Sequence, residues 1–394
     1  MKSRSILEGL GINILLLGIV SFINDASSDM IWPILPMFIV SVGGGGFAVG
    51  LIGGLGESIS SLLKVFSGYL SDKIGRRKIL IASGYVISSV SKIFFPFVTS
   101  WSHLLILKPL ERIGKGIRTA PRDALIADSS LKNQRGKGFG LHKALDTSGA
   151  LLGSFLAFIF VWFLQLQFRN ILLIAALLGF ISLIPLAFVK EPKIKIREKF
   201  SLQFQPDKLG RKFNLFLLIV TLFALGNFSY MFLILKARGA FQLFLEERLS
   251  NAIPILLYIL FNMSYAAFSM PIGSFSDKVG KGRILLCGYG LFTLTCIGFI
   301  FSVTIYHFIL LFLLYGLFRA SVDAVQRAYA SDLAADKLRG TALGVFHASI
   351  GLAALPASTI AGILWDLNPA LTFIYGATIS IVSMALLTTF LFKI

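Results

Sequence analysis

The sequence predicts an all-α, polytopic membrane protein with twelve transmembrane helices in two six-helix bundles. Of its 394 residues, 56% are hydrophobic and only 14% are charged, whereas the helices of soluble proteins keep a polar face for water. Long apolar stretches, each near the roughly 20 residues needed to cross the hydrocarbon, alternate with short charged segments. They lack the period-two alternation of a transmembrane β-barrel. Because a backbone in lipid must satisfy its own hydrogen bonds, these stretches are expected to be helices.

Six apolar stretches precede a basic segment in the middle of the chain, and six follow it. The first stretch comes directly after a few N-terminal bases, and we expect it to be a retained span, since no small-residue cleavage site follows it. The predicted domains are an N-terminal bundle (1–190), a basic cytoplasmic linker (191–212) and a C-terminal bundle (213–394). The predicted spans are 8–42, 46–71, 77–98, 101–128, 138–164, 168–190, 213–240, 250–276, 282–302, 306–333, 338–364 and 369–393.

Positive charge is distributed unevenly between the two sides of the predicted membrane protein. The net charge is +18, and most of the 37 Lys and Arg residues lie at the termini, in the linker and in the even-to-odd loops. The opposite loops are nearly free of bases, with exceptions around Arg169, Arg238 and Arg248. This asymmetry predicts a multi-pass protein of the cell (inner) membrane with both termini in the cytoplasm. Bases confined to loops between apolar spans also argue against nucleic acid as a partner.

The two predicted bundles resemble each other at an offset of about 204 residues. The sequence RGKGFGLH at 135–142 returns as RGTALGVFH at 339–347, and RDALIAD at 122–128 returns as QRAYASD at 326–332. Parallel repeats of six helices are a known plan of transporters. In that plan the substrate site lies between the repeats, near the middle of the membrane.

A glycine–acid–base motif stands between the second and third spans and again between the eighth and ninth. It reads GYLSDKIGRRK at 68–78 and GSFSDKVGKGR at 273–283, and it resembles the G-x-x-x-D-K-x-G-R-R/K signature loop of the major facilitator superfamily. Twelve spans and a central basic loop extend this resemblance over the whole chain. The stretches FINDASSDMIWPILP and ERIGKGIRTAPRDALIAD are similar to a bacterial and archaeal subgroup without a firmly assigned substrate. The matching positions are Gly68, Asp72, Gly75, Arg76, Lys78, Gly273, Asp277, Gly280 and Arg283, with Lys281 in place of the first arginine of the second copy.

The two motif copies predict a gate on the cytoplasmic side. A carboxylate such as Asp72 or Asp277 can accept hydrogen bonds from backbone N–H groups at a neighbouring helix N-terminus, where the helix dipole favours negative charge. The resemblance implies that both copies hold the cytoplasmic side shut in the outward-facing state. A simpler interpretation is that an acid at a membrane exit is only solvated; the duplication favours the gate.

Charged residues inside the apolar spans are costly and usually functional. Asp25 and Asp29 are four residues apart and share one helix face in the first span. Two close carboxylates in a cavity of low dielectric constant do not both ionise readily, so one of them is a candidate proton carrier. Alternatively, both lie near the aqueous mouth of the cavity and bind water. In the second span, Glu57 shares a face with Lys64, which makes an internal ion pair one of its possible roles.

The fourth and tenth spans carry stripes of bases at spacings of three and four residues. Arg112 and Gly116 resemble the superfamily's R-x-x-x-G motif, whose arginine is tied to proton movement, and Lys115 and Arg319 correspond at the repeat offset. The resemblance implies that spans 1, 4, 7 and 10 line one central aqueous cavity. For the fourth span from Lys115 onward, the alternative is that it has already reached the cytoplasm and pairs with its own acids. The predicted cavity residues are Asp25, Asp29, Glu57, Arg112, Lys115, Arg319, Asp323 and Arg327.

These features predict a transporter rather than an enzyme. The sequence contains no P-loop, G-x-S-x-G, H-E-x-x-H or metal-spaced Cys/His motif, so neither a cofactor nor a metal is expected. The first hypothesis is a monomeric, proton-coupled secondary transporter that works by alternating access on a small solute with an anionic group. The second is a multidrug-type proton antiporter that exports amphipathic or cationic compounds; Ser154, which replaces the proline of the antiporter motif, speaks against it. The third is a membrane receptor or scaffold that transports nothing.

Overall fold

The computed structural model describes residues 11–130, 135–191, 209–334 and 338–392, and the regular structure within these ranges is helical. Most of the predicted linker, 192–208, lies outside the described residues, as do residues 8–10 of the first predicted span and 393 of the last. The helices are α1 (Ile12–Ile31), α2 (Leu35–Ser41), α3 (Gly46–Ile74), α4 (Arg77–Ile93), α5 (Trp101–Asp128), α6 (Arg135–Trp162), α7 (Phe168–Ile181), α8 (Leu183–Ala187), α9 (Arg211–Gly226), α10 (Met231–Phe241), α11 (Glu247–Val279), α12 (Lys281–Phe301), α13 (Ile305–Leu333), α14 (Arg339–Leu367) and α15 (Pro369–Phe392).

Eleven helical segments in the described ranges are long and apolar enough to cross a bilayer, which identifies a multi-pass membrane protein. They coincide with eleven of the twelve predicted spans. The remaining predicted span corresponds to α5, whose 28 residues reach about 42 Å. This helix is long enough to cross the membrane, but it has too many charged residues to count among the eleven apolar segments.

Three of the predicted spans consist of two helices each; the sixth divides between α7 and α8 at Ser182, and the first and seventh divide as follows. The first breaks between α1 and α2, where Pro33 and Pro36 cannot donate backbone hydrogen bonds. The seventh breaks between α9 and α10 at residues 227–230. Within the described residues, the side-chain oxygens of Asn227 and Tyr230 are buried at this second break and have no hydrogen-bond partner. The interruption at 227–230 therefore places polar side chains in the interior of the molecule.

Small residues allow α3 and α14 to pack with their backbones almost in contact. A Cβ built on Gly50 would lie 2.0 Å from the carbonyl oxygen of Ser358, and one built on Gly362 would lie 2.4 Å from the carbonyl oxygen of Gly46. Only glycine fits at such a separation, as in other closely packed membrane helices. This contact joins the part of the chain before residue 191 to the part after residue 209, which we call the first and second parts.

The first and second parts are held together most closely at one end of the molecule. We call it the clasped end; it carries the α2–α3 connection (42–45) and the end of α14 at Leu367. Along α3 and α14 the approach loosens to 3.9 Å between a Cβ on Gly344 and Val65. The opposite end, the motif end, carries both glycine–acid–base motifs. There, a Cβ on Gly136 or Gly140 of α6, Gly273 of α11 or Gly340 of α14 would have no atom of the described residues within 4 Å outside its own stretch of helix.

Candidate functional site

The two carboxylates of α1 have partners on different helices. The Asp25 carboxyl lies at hydrogen-bonding distance of the Asp146 carboxyl on α6 and also accepts a hydrogen bond of 3.1 Å from the Asn24 amide. Asp29 accepts a hydrogen bond of 3.3 Å from the hydroxyl of Tyr258 on α11. The predicted pair is therefore divided: Asp25 faces the first part of the chain, and Asp29 contacts the second.

Asp146, which was not among the predicted cavity residues, is surrounded by donors. Its carboxylate accepts 2.8 Å hydrogen bonds from the Ser21 hydroxyl and from the Lys143 ammonium. The guanidinium of Arg122 lies 3.9 Å away. The sequence signal that could have identified Asp146 is its position as an acid within an apolar span. These contacts give Asp146 the environment of an ionised carboxylate held between two cations.

The segment of α5 from Lys108 to Arg112 forms ion pairs inside the molecule. Lys108 lies 2.9 Å from Glu111, and Arg112 lies 2.5 Å from Glu57 on α3. Both cations also stack on the ring of Trp32, at 4.0 and 4.1 Å from its centroid. The Arg112 side chain is 3% exposed, whereas that of Glu57 is 54% exposed. Arg112 is thus a buried partner of Glu57, and the carboxylate is the member of the pair that reaches the open space.

One alternative was that the bases of α5 from Lys115 onward pair with acids of the same helix. This pairing is found for Arg122 but not for Arg118. Arg122 does lie 3.2 Å from Asp123. Arg118, in contrast, is 2% exposed and turns toward α4, where it donates to the Ser88 hydroxyl at 2.6 Å and covers the ring of Tyr85 at 4.4 Å. Arg118 therefore packs inside the first part of the chain instead of reaching a neighbouring acid of α5.

The cations of α13 and their neighbours on α3 and α5 fall into two groups. Arg319 is paired with Asp323 at 2.9 Å, and both side chains are about one-third exposed, at 35% and 26%. Lys64, Lys115 and Arg327 have no carboxylate within the 4 Å of an ion pair in the described ranges; the lysines are half-buried, and Arg327 is exposed. The sequence-based pair of Glu57 with Lys64 does not form, because Glu57 binds Arg112.

Both motif copies mark the ends of helices. Gly75 follows α3 with φ +68°, and Gly280 separates α11 from α12 with φ +106°, a backbone conformation that favours glycine. In the second copy, Asp277 lies 3.2 Å from Lys281, which in turn lies 2.7 Å from Asp332 of α13. The charged residues Asp277 and Lys281 of the second motif therefore form ion pairs within the second part of the chain.

The first motif adjoins a helix N-terminus that is capped by another acid. Glu191 accepts 2.8 Å hydrogen bonds from the backbone N–H groups of Arg77 and Lys78, at the start of α4. The side chain of Asp72 lies outside the described residues. The other motif positions follow: Gly68 faces Ala120, Arg76 is exposed just before α4, Gly273 borders open space, and Arg283 is exposed on α12.

At the clasped end, two charged side chains of the second part bind helix ends of the first. The carboxylate of Asp366 accepts hydrogen bonds from the N–H groups of Gly46 at 2.6 Å and Phe47 at 2.8 Å, where α3 begins. Arg248 donates to the carbonyl oxygen of Trp162, the last residue of α6, at 2.7 Å, and covers its ring at 4.3 Å. An anion at a helix N-terminus and a cation at a helix C-terminus both complement the helix dipoles.

A cleft of about 740 Å³ opens at the clasped end, and it gathers the three bases that broke the charge asymmetry, Arg169, Arg238 and Arg248. Arg169 donates 2.9 Å hydrogen bonds to two backbone carbonyls of the α4–α5 connection. Arg238 donates to the side chain of Asn251 at 2.7 Å. Each of these arginines is bound to oxygen atoms of the protein, which accounts for bases on the side that otherwise lacks them.

Comparison with known proteins agrees with this architecture. A family model described as the Major Facilitator Superfamily matches residues 17–244 and 217–394. An uncharacterized MFS-type transporter of Methanocaldococcus jannaschii is 48% identical over 375 residues, which cover 95% of this chain and 94% of that protein. The quinolone resistance protein NorA of Staphylococcus aureus is 30% identical over 124 residues, which cover 32% of each chain.

A solved structure of a mutant of the nucleoside transporter NupG has the same fold. It is 15% identical and matches with a TM-score of 0.83, covering 96% of this chain and 99% of its own. The family match, the archaeal MFS-type transporter and the nucleoside transporter structure indicate a transporter and not an enzyme. From the family match, the relative that is similar over nearly its full length and the helical fold, we conclude that this chain belongs to the major facilitator superfamily of membrane transporters.

Proposed function

We propose that this protein is a proton-coupled secondary transporter that moves a small anionic solute across the cell (inner) membrane by alternating access, as a monomer. The observation that carries the proposal is the set of charged side chains that α1, α3, α5 and α13 bring together between the first and second parts. Glu57, in the middle of the 29-residue helix α3, is 54% exposed there. A half-exposed carboxylate at this depth of a membrane helix is typical of a solute pathway.

The proposal includes α5 as a twelfth span. Its charged residues Lys108, Glu111, Arg112 and Arg118 are each at most 3% exposed, so they face protein and not lipid. Charges sheltered in this way are compatible with a transmembrane helix. We accordingly treat 1–190 and 213–394 as two six-helix bundles joined by the linker 191–212, with the motif end and both termini in the cytoplasm.

We assign the coupled proton to the pair of Asp25 and Asp146. Two carboxyl groups at hydrogen-bonding distance are stable when they share one proton, because two negative charges at that separation repel each other. Asp146 already accepts hydrogen bonds from Ser21 and Lys143. The proton of the pair therefore belongs on Asp25, which donates it toward Asp146.

Alternating access would exchange the contacts at the two ends. The present conformation is closed at the clasped end by Asp366 and Arg248. The outward-facing state requires these contacts to break and the motif end to close. The proposed role of Asp72 and Asp277 is to stabilise that closed motif end.

Purified protein in liposomes that contain a pH-sensitive dye tests this function. We expect at least one organic anion of a chemically diverse panel to move together with protons when a pH gradient is imposed. Asp25→Asn and Asp146→Asn should abolish the proton movement, because either change removes the shared proton site. Glu246→Gln, which alters an exposed acid at the clasped end, is the matched control and should behave as the wild type. Solute movement that is equally fast without a pH gradient, in the wild type and in both variants, would contradict proton coupling.

Export of amphipathic or cationic compounds is the second candidate function. The partial match to the quinolone resistance protein NorA favours it. A group of aromatic rings around the helix breaks also favours it. The ring centroid of Tyr230 lies 5.9 Å from that of Trp32 and 5.2 Å from that of Tyr258. Vesicles loaded with an amphipathic cation separate the candidates, since proton-driven release of the cation with no anion transport would select the exporter.

A further inference from the structure

Several cations of the interior form no ion pair with a carboxylate of the described residues. Arg112 is bound to Glu57 and Arg319 to Asp323. Lys64, Lys115 and Arg327 are left without an ion pair in the described part of the chain, although all three are at least partly accessible. Ionisable residues within membrane spans usually mark a substrate or ion pathway, and cations there can bind an anionic group by charge-assisted hydrogen bonds.

The two lysines are fixed beside each other by the packing of α3 on α5. A Cβ built on Gly116 would lie only 2.6 Å from the Cβ of Leu63. One turn further along α3, the Ser67 hydroxyl donates to the Gly116 carbonyl at 2.9 Å. Lys64 follows Leu63, and Lys115 precedes Gly116, so both lysines flank this contact of the two helices. The packing of α3 on α5 therefore fixes the backbones of the two lysines close to each other.

Arg327 approaches the same region from the second part of the chain. The ammonium of Lys64 has Lys115 and Arg327 among its charged neighbours, together with the Glu57–Arg112 pair. Lys115 in turn has the carboxylates of Asp25 and Asp29 as neighbours, although it forms no ion pair with either. His347 of α14 is half-buried and lies within the influence of both Arg327 and Lys64. The cluster therefore spans the two parts of the chain, and its three cations repel one another.

We propose that Lys64, Lys115 and Arg327 form the binding subsite for a doubly charged oxyanion group of the transported solute, either a phosphate monoester or a dicarboxylate. This inference rests on the transport function proposed above and names its substrate class. Guanidinium binds planar or tetrahedral oxyanions through two parallel hydrogen bonds, and the two ammonium groups supply further donors. Arg112 and Arg319 are not assigned to the anion, since both already have carboxylate partners.

The position of the subsite links binding to the transport cycle. Lys64 and Lys115 lie on the first part of the chain and Arg327 on the second, so their mutual repulsion opposes closure of the motif end. A divalent anion between them replaces this repulsion by attraction on both sides. The loaded subsite therefore favours the closed motif end, and a monovalent anion is less effective because it leaves an excess of two positive charges.

Isothermal titration of the purified full-length protein with inorganic phosphate at pH 7.5 tests the subsite, with malonate as the dicarboxylate and chloride at equal ionic strength as the monovalent control. We expect saturable binding of at least one divalent anion and none of chloride. Lys64→Gln, Lys115→Gln and Arg327→Gln should each weaken the binding about tenfold or more, as expected for the loss of one charged hydrogen bond. Phosphate and malonate together show which of the two chemistries the subsite selects.

Three further variants keep the test decisive. Lys212→Gln removes an exposed lysine of α9, away from the cluster, and should change the affinity less than about twofold. Lys64→Arg and Lys115→Arg keep the charge and should retain most of the binding, which separates a lost charge from a damaged fold. Unchanged affinity in the three glutamine variants, or chloride binding as strong as that of both divalent anions, would overturn the subsite.

The outcomes also separate this inference from the transport function. Proton-driven transport of another solute, with phosphate and malonate binding absent, would remove the subsite and leave the function standing. Anion binding that depends on the three cations, without any proton-driven flux, would support the subsite and contradict the proposed transport function.

Discussion

Lys92 illustrates at the scale of single residues how the interior accommodates charge. Its side chain is fully buried on α4, and its ammonium donates to the hydroxyls of Ser27 at 2.9 Å and Ser28 at 2.8 Å on α1. No carboxylate of the described residues lies within ion-pair distance of it. A buried charge depends strongly on the few groups that solvate it. The two serines are therefore essential partners of Lys92.

The first prediction concerns this pair of helices. Ser28→Ala should lower the free energy of unfolding by about 1.5–3 kcal/mol, because it removes a hydrogen bond to a buried charge. Lys92→Met removes the charge itself, and Ser28→Ala should cost clearly less in that background. Unfolding in mixed detergent micelles, titrated with SDS, measures all four proteins of this cycle. Additive effects of the two changes would contradict the proposed dependence.

The partners of charged residues are also where sequence reasoning reached its limit. Arg319 and Asp323 lie on α13 four residues apart and form an ion pair, a contact that spacing along one helix can indicate. The same reasoning suggested Glu57 with Lys64, whereas Glu57 binds Arg112 on another helix. Choosing between partners on different helices requires their relative position and rotation, which one sequence does not contain. For that reason Asp146 was also missed as the partner of Asp25.

At the scale of helices, the apolar pattern predicted where the elements lie but not how they are interrupted. The eleven apolar segments agree with the predicted spans because length and apolarity are properties of each stretch alone. The break between α9 and α10 has no proline within residues 227–230, so no local signal announced it. Close packing was signalled more clearly: the glycines of α3 lie where its backbone meets α14.

The second prediction uses this close packing. Gly50→Ala should destabilise the protein by about 1–3 kcal/mol, because its Cβ would meet the Ser358 carbonyl oxygen at 2.0 Å and the two helices must separate. The control is Gly140→Ala on α6, where nothing lies within 4 Å of the new methyl group. There, the better helix propensity of alanine should be neutral or stabilising by up to about 1 kcal/mol. Thermal unfolding of both variants in the same detergent compares them. Equal melting temperatures for the two would show that the α3–α14 contact is not as tight as described.

At the scale of the whole molecule, the clasped end is the counterpart of the predicted gate. The duplicated motifs drew attention to the motif end, yet in this conformation Asp366 and Arg248 join the first and second parts through charged side chains at the other end. Neither residue belongs to a repeated motif. Both act on helix termini, and a helix terminus becomes a binding partner only when the fold brings it opposite the charge. The sequence therefore identified a membrane transporter, but not the contacts that join its two parts at this end.

The third prediction is that loss of the Asp366 charge loosens the clasped end. Asp366→Asn keeps an oxygen acceptor for the N–H groups of Gly46 and Phe47 but removes the attraction between a carboxylate and the dipole of α3. That attraction is worth about 0.3–2 kcal/mol. Spin labels at Ser41 and Leu243, in the first and second parts at this end, measure the separation by double electron–electron resonance. The exposed Cys287 is first replaced by serine, so that only the introduced cysteines carry labels, while Cys296 is buried.

We expect Asp366→Asn to move a measurable fraction of molecules to longer label distances, because the closed conformation loses stability while the open one is unaffected. Asp332→Asn is the matched control: it removes an exposed carboxylate that pairs with Lys281 at the motif end, and the distances at the clasped end should stay as in the parent protein. If Asp366→Asn leaves the distribution unchanged, the α3–α14 packing alone closes this end. If Asp332→Asn widens it equally, the effect belongs to net charge and not to the helix terminus. Longer label distances in Asp366→Asn alone would show that this single carboxylate on α14 stabilises the closed conformation of the clasped end.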